Sequence, residues 1–181
     1  MVLASASPQR RAILEQAGIP FTVRPTGVEE ESAGDPLWVA EENARRKAAA
    51  AAAPGELVLG ADTDVAFGGD ILGKPADEAQ AREFLARLAG QVHEVVGGIA
   101  LAENGTIKAD VVVTRVRFRP LDARVIDWYV DTGEWRGRAG GYAIQGRGAV
   151  LVESVCGDYL NVVGLPLARL LSLRPDLLPG S

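Results

Sequence analysis

"HEVVGGIALAENGTIKADVVVTRVRFR", residues 93–119, reads as two long strands folded about Asn104-Gly105. Asn-Gly between two apolar runs is a strong two-residue hairpin signal, because both central residues of such a turn need positive φ. A purely parallel sheet has no place for this antiparallel pair. Immediately upstream, "ELVLGAD" (56–62) is a short apolar run with the character of a buried strand. "VAFGGDILG" (65–73) predicts a second hairpin around Gly68-Gly69. "IPFTV" (19–23) predicts a further strand, and "GRAGGYAIQGRGAVLVESV" (137–155) a glycine-rich loop followed by one more. Helical patterns alternate with these. One runs from Ser7-Pro8 to a stop at Gly18, and one spans 37–53, ended by Pro54-Gly55. Others cover 77–89 between Asp77 and Gly90, and 122–132 with Ile126, Tyr129 and Val130 inward; a last one starts near Pro166. Helices alternating with strands and hairpins predict an α/β fold with a mixed twisted sheet and flanking helices. No linker divides the chain, so residues 1–181 read as a single domain, with a pinched, two-lobed form compatible with the pattern.

At 181 residues and 48% hydrophobic, the chain can bury a substantial core. Its net charge of −5 disfavours a general nucleic-acid surface, so any basic site must be local. The single cysteine, Cys156, allows no internal disulfide. There is no membrane-length apolar run and no signal-peptide pattern, and a soluble cytoplasmic protein without a membrane partner is the expectation. One histidine and one cysteine argue against a zinc site. No Gly-x-Ser-x-Gly motif supports acyl transfer, and the glycine-rich loop lacks the Lys-Ser/Thr of a P-loop.

Several polar residues stand where a bland reading is strained. "LASASPQRR" (3–11) runs a strand into a helix start, bringing Ser5, Ser7, Arg10 and Arg11 to free backbone N–H groups. That is either an anion site or a capped helix with two solvated arginines. Lys47 lies at the edge of the Ala40, Ala44, Ala48, Ala51 stripe, with Arg45 and Arg46 pointing away. Taken alone, the helix favours a snorkelling lysine with its amine in water. Asp62 ends a buried strand, where α/β proteins place ligand-facing groups. The hairpin brings Lys74 back toward it, as an ion pair or as a base beside a phosphate clamp, with Asp64 on the same strand face. Glu29, Glu30 and Glu31 form either a solvated acidic run or a loop that offers one carboxylate to a metal. His93 reads as a packed or surface imidazole, and the Gln145 amide is able to read a base edge.

"LASASPQRRAIL", "ENARRKA", "GADTDVAFGGDILGKP" and "AGGYAIQGRGA…GDYLNVVGLPLARL" resemble the Maf family of nucleotide pyrophosphatases, from about residue 2 to 171 and in the family's order. The resemblance implies an inosine-triphosphatase-like fold with two lobes around a deep cleft. It implies hydrolysis of a nucleoside triphosphate to monophosphate and pyrophosphate, aided by a divalent cation, Mg or Mn, in an often dimeric enzyme. By the family's motifs, Asp62 is the proton acceptor; Ser7, Arg10, Lys47 and Lys74 contact phosphate; and Glu30, or its neighbour Glu29, takes the acidic loop position, joining Asp62 on the metal. Substrate choice maps to Gln9, Thr63 and Gln145. Thr63 and Gln145 match the dTTP/UTP branch, whereas Gln9 replaces that branch's arginine and is not the tryptophan of the 7-methyl-GTP branch. Gly97 and Asp64 also depart from the family's usual residues. The rival readings are a non-catalytic nucleotide-binding regulator of cell division and a pyrophosphatase that prefers 7-methyl-GTP or CTP.

Overall fold

The structure, a computed structural model, describes residues 1–178. The Asn104-Gly105 turn has φ of 50° and 78°, the two positive values that match the twist of the flanking strands. It joins β5 (Val92–Glu103) to β6 (Thr106–Phe118), paired from Glu103↔Thr106 to Val92↔Arg117. β5 also pairs antiparallel with β3 (Val58–Phe67), which forms its own hairpin with β4 (Asp70–Leu72). On the other side of β3, β1 (Val2–Leu3) and β2 (Thr22–Val23) pair in parallel, and β7 (Val152–Cys156) closes the far edge against β6. The sheet order is β2-β1-β3-β5-β6-β7, with β4 on β3, so the sheet is mixed as the two hairpins required.

The helices are α1 (Pro8–Gln16), α2 (Pro36–Ala51), α3 (Glu78–Leu88), α4 (Ala123–Asp131), α5 (Tyr159–Val163) and α6 (Leu167–Leu173). Ser7, Asp35, Asp77, Asp122 and Asp158 cap the first five through side-chain oxygens. α5 escapes a periodicity argument because five residues barely complete one turn. β2 is shorter than residues 19–23 because it is the sheet edge; Ile19 instead packs inward beneath α1.

α2 lies unusually close to the sheet. Its buried Ala40, Ala44 and Ala48 face Gly60 of β3 and Gly98 of β5. A methyl at Gly60 would stand 2.2 Å from the Ala44 carbonyl oxygen, and one at Gly98 2.0 Å from that of Ala40. Small residues on both sides let helix backbone rest on strand backbone. Two larger apolar clusters flank this seam. One joins Leu3, Ile13, Leu14, Leu59, Ile99 and Leu170; the other joins Leu85, Leu88, Phe118, Tyr129, Trp135 and Leu151. Walls from both sides enclose a cleft of about 780 Å³, large enough for a nucleotide. Among the described residues no helix is long and apolar enough to cross a membrane.

Candidate active site

The close seating of α2 places two polar side chains against the middle of β3. Asp62 does not end its strand, as the apolar run 56–62 suggested: β3 continues to Phe67 and stays paired with β5 past Asp62↔Gly98 as far as Ala66↔Glu94, because the sheet hydrogen bonds run on through the polar residues. Asn43 and Lys47, one helical turn apart, both reach Asp62 of β3. Lys47 Nζ donates to Asp62 Oδ1 at 2.6 Å, and Asn43 Nδ2 donates to Oδ2 at 3.0 Å. All three side chains are buried. The expectation that Lys47 snorkels is therefore overturned. With α2 seated on β3, the Lys47 amine is drawn inward and ends between two carboxylates instead of in water. The second of these is Glu30, whose Oε1 lies 2.6 Å from Lys47 Nζ. Arg45 and Arg46 do face outward, pairing with Glu41 and Glu42 one turn back.

The acidic loop divides its labour. Glu31 pairs with Arg46, and its backbone N–H and carbonyl both bond the Asn43 amide. Glu29 contributes its carbonyl to Arg46. Between these flanks Glu30, rather than Glu29, reaches the lysines Lys47 and Lys74. Asn43 was not singled out from sequence; its position one turn before Lys47 was the available signal.

Lys74 lines the same cleft but makes no ion pair with Asp62. The β3–β4 hairpin ends at Leu72, so Lys74 extends beyond it, largely solvated, with Nζ 3.9 Å from Glu30 Oε2. Glu30 thus bridges the two lysines. Asp64 shares the Asp62 strand face, as alternation requires. Its Oδ2 is buried without a hydrogen-bond partner. Burial, and then the neighbouring Asp62 charge, push its carboxyl up to about 7.

At the start of α1, Ser7 N–H donates to Ser5 Oγ, and Ser7 Oγ accepts from the Arg10 N–H and donates to Gln9 Oε1. Arg10 is buried and turned into the cleft wall. Its Nε donates to the Gly164 carbonyl at 2.8 Å, Nη1 to Ser5 Oγ at 3.0 Å and Nη2 to Thr63 Oγ1 at 3.1 Å. Three of its five N–H groups therefore hold the protein together, leaving two for a ligand. Arg11 does not converge with it. It is exposed and lines a shallow depression with Glu15 and Phe21, because adjacent helical residues point about 100° apart.

The opposite wall is the glycine-rich segment. Tyr129 hydroxyl accepts from the Ala143 N–H at 2.9 Å, and Glu134 Oε2 accepts from the Arg147 N–H at 2.7 Å. Between these anchors, the exposed Gln145 lines the cleft. His93 is buried against Phe118 and Tyr142, with Nε2 2.8 Å from the Tyr142 hydroxyl. Burial lowers its pKa to about 4, so it is neutral and structural.

One cleft thus gathers Ser7, Gln9, Arg10, Lys47, Asp62, Thr63, Lys74 and Gln145, with Glu30 on the lysines. Among the described residues no three His, Cys, Asp or Glu side chains form a ready cation cage. The oxygens of Glu30 and Asp62, beside the unpartnered Asp64 Oδ2, are nonetheless hard donors of the kind that share a divalent cation with phosphate and water.

Residues 1–175 match the family described as Maf-like protein. The chain is 49% identical over 173 residues to a dTTP/UTP pyrophosphatase of Symbiobacterium thermophilum, covering 93% of this chain and 89% of that one. It is 44% identical over 177 residues to a dTTP/UTP pyrophosphatase of Pyrococcus furiosus, covering 96% and 93%. Among solved structures, the Staphylococcus aureus Ham1 protein aligns with a TM-score of 0.47 at 19% identity, over 65% of this chain and 70% of that one. Matched nearly end to end, the chain belongs to the Maf family.

Proposed function

We propose that this chain hydrolyses dTTP and UTP to the nucleoside monophosphate and pyrophosphate. The observation that carries the reading is the buried Asp62 carboxylate, oriented by Lys47 and Asn43 at the wall of a nucleotide-sized cleft. It is supported by relatives of that activity at 44–49% identity. Asp62 accepts the proton of the water that attacks the α-phosphorus, directly or through a second water. Lys47 and Lys74 stabilise the charge that grows on the bridging oxygen and the departing pyrophosphate. Glu30 holds both ammonium groups until polyphosphate oxygens take its place. Ser7 and the two remaining Arg10 donors receive the phosphate tail from the α1 side. A divalent cation, Mg or Mn, fits Glu30 and Asp62 with phosphate oxygens and water, and would supply charge neutralisation on the tail.

The Gln145 amide offers both donor and acceptor groups, matching the O4 and N3–H edge that thymine and uracil share. Thr63 acts through Arg10, to which it is bonded, and through its 3.3 Å bond to the Gly164 carbonyl. The test is pyrophosphate release from a panel of nucleoside triphosphates in oxygen-18 water with Mg or Mn. dTTP and UTP turn over fastest and the label enters the monophosphate. Orthophosphate released first, with a nucleoside diphosphate, refutes the cleavage site. A tenfold preference for 7-methyl-GTP or CTP refutes the base assignment, and binding without turnover leaves a regulator.

A further inference from the structure

Six arginines have side chains without a polar partner among the described residues: Arg11, Arg117, Arg119, Arg124, Arg138 and Arg147. Five of them are exposed, where water solvates the guanidinium. Arg138 alone is half-buried. Its Nε is fully buried with no hydrogen-bond partner, and no carboxylate lies within ion-pair distance. Sheltering an unpaired cation is costly, so the position calls for a ligand to complete it. Arg138 lines the catalytic cleft.

Its surroundings indicate which part of a nucleotide it meets. The Gly140 N–H, two residues on, donates to the Gly73 carbonyl at 3.0 Å. This stitches the Arg138 segment to the chain immediately before Lys74. Gly140 has φ of 66°, and a methyl there would stand 2.8 Å from Val65, so the segment is held tightly against β3. Arg138 and Lys74 are therefore cations on two joined segments that line the same cleft as Ser7 and Arg10. The neighbouring Arg136 is engaged elsewhere, stacked on Trp135 and paired with Glu78. A guanidinium that lines the cleft and makes no ion pair within the protein is complementary in charge to phosphate oxygens.

Resting on the pyrophosphatase reading above, we infer that Arg138 is a further substrate-binding residue, which grips the terminal phosphates and so the pyrophosphate leaving group. Nothing in the family motifs used above assigns it this role. A polyphosphate in the cleft would supply the counter-charge that no carboxylate of the protein gives Arg138.

The test is calorimetric binding of inorganic pyrophosphate to the full chain, with thymidine as a separate probe of the base end. Arg138→Gln is expected to weaken pyrophosphate binding about tenfold or more, equivalent to about 1.4 kcal/mol. Arg138→Lys, which keeps the stem and a charge and guards against a folding artefact, should fall between. Thymidine affinity should not change. In turnover, KM for dTTP should rise more than kcat falls, because the contact is already made in the ground state. Pyrophosphate affinity within about twofold of the native protein in Arg138→Gln would overturn the assignment, as would a loss confined to thymidine. If the native protein binds pyrophosphate through Arg138 yet cleaves neither dTTP nor UTP, the anion site stands and the pyrophosphatase reading fails.

Discussion

Gly60→Ala tests whether backbone-to-backbone packing of α2 on the sheet sets up Asp62, the proposed general base. The added methyl would stand 2.2 Å from the Ala44 carbonyl oxygen, 2.6 Å from the Ala48 nitrogen and 2.9 Å from the Ala48 methyl. Two of these neighbours are backbone, so no rotamer change relieves them. The helix must withdraw by about 0.8 Å to reach even the shortest spacing that real Cβ atoms tolerate. The turn that moves carries Asn43 and Lys47. A shift of that size takes their bonds to Asp62, now 3.0 and 2.6 Å, toward or beyond hydrogen-bonding range. Overpacking of this kind costs about 1–3 kcal/mol. For a domain of this size that lowers the melting temperature by about 2 to 12 °C. Misplacing catalytic groups by about 1 Å costs on the order of a hundredfold in turnover. Scanning calorimetry and pyrophosphate release from dTTP read the two effects. Gly27→Ala is the control, with nothing near the new methyl and ordinary φ, and should change stability by less than about 1 kcal/mol. A Gly60→Ala protein melting within about 1 °C of the native one, with turnover within about twofold, would show that the seam is not what places Asp62.

Asp62→Asn is expected to stay folded and lose at least about a hundredfold in turnover, because an amide cannot accept the water's proton; unchanged turnover in the folded variant removes Asp62 as the base. Lys47→Ala should both destabilise the protein by about 3 kcal/mol or more, by stranding the buried Asp62 charge, and abolish activity. Arg45→Ala and Arg46→Ala, which break half-exposed helix pairs, should cost under about 1 kcal/mol and leave turnover intact, so equal behaviour of the three would refute the helix-phase argument. For His93, the folded pKa of about 4 lies below the unfolded value of 6.5, so the unfolded chain takes the proton first. Stability from this group is complete above pH 6.5 and falls by up to about 3 kcal/mol as pH drops toward 4; His93→Phe should remove that part of the slope in denaturant titrations, and an unaltered slope would contradict it. Gln9 Oε1 accepts from Ser7 at the cleft, so Gln9→Arg should sharpen the preference for dTTP and UTP, whereas an unchanged substrate panel would make position 9 a bystander.

The elements that local chemistry controls were legible in the chain. Asn104-Gly105 and Gly68-Gly69 announce their hairpins because few other pairs adopt positive φ cheaply. Ser7-Pro8, Asp77 and Asp122 mark helix starts because a side-chain oxygen close in sequence satisfies a free N–H. Asp62 stood out as a carboxylate following an apolar run, although β3 continues past it to Phe67 rather than ending there, and motif resemblance placed Lys47 and Lys74 in the same site.

What the chain could not disclose was which of those charges meet. Asp62 and Lys74, close in a hairpin drawing, do not pair; Asp62 and Lys47, on different elements, do. Arg10 and Arg11, adjacent in sequence, end on different surfaces. Asn43 was marked only by its spacing one turn before Lys47, and Arg138 by nothing local: one gains its meaning from a helix seated on Gly60 and Gly98, the other from a loop stitched to Gly73. Caps, turns and periodicity are energies between near neighbours and can be read along the chain. The active-site electrostatics arise from distances of a few ångströms between segments far apart in sequence. Those distances are set by how closely glycine and alanine let the backbones approach, which only the tertiary structure decides.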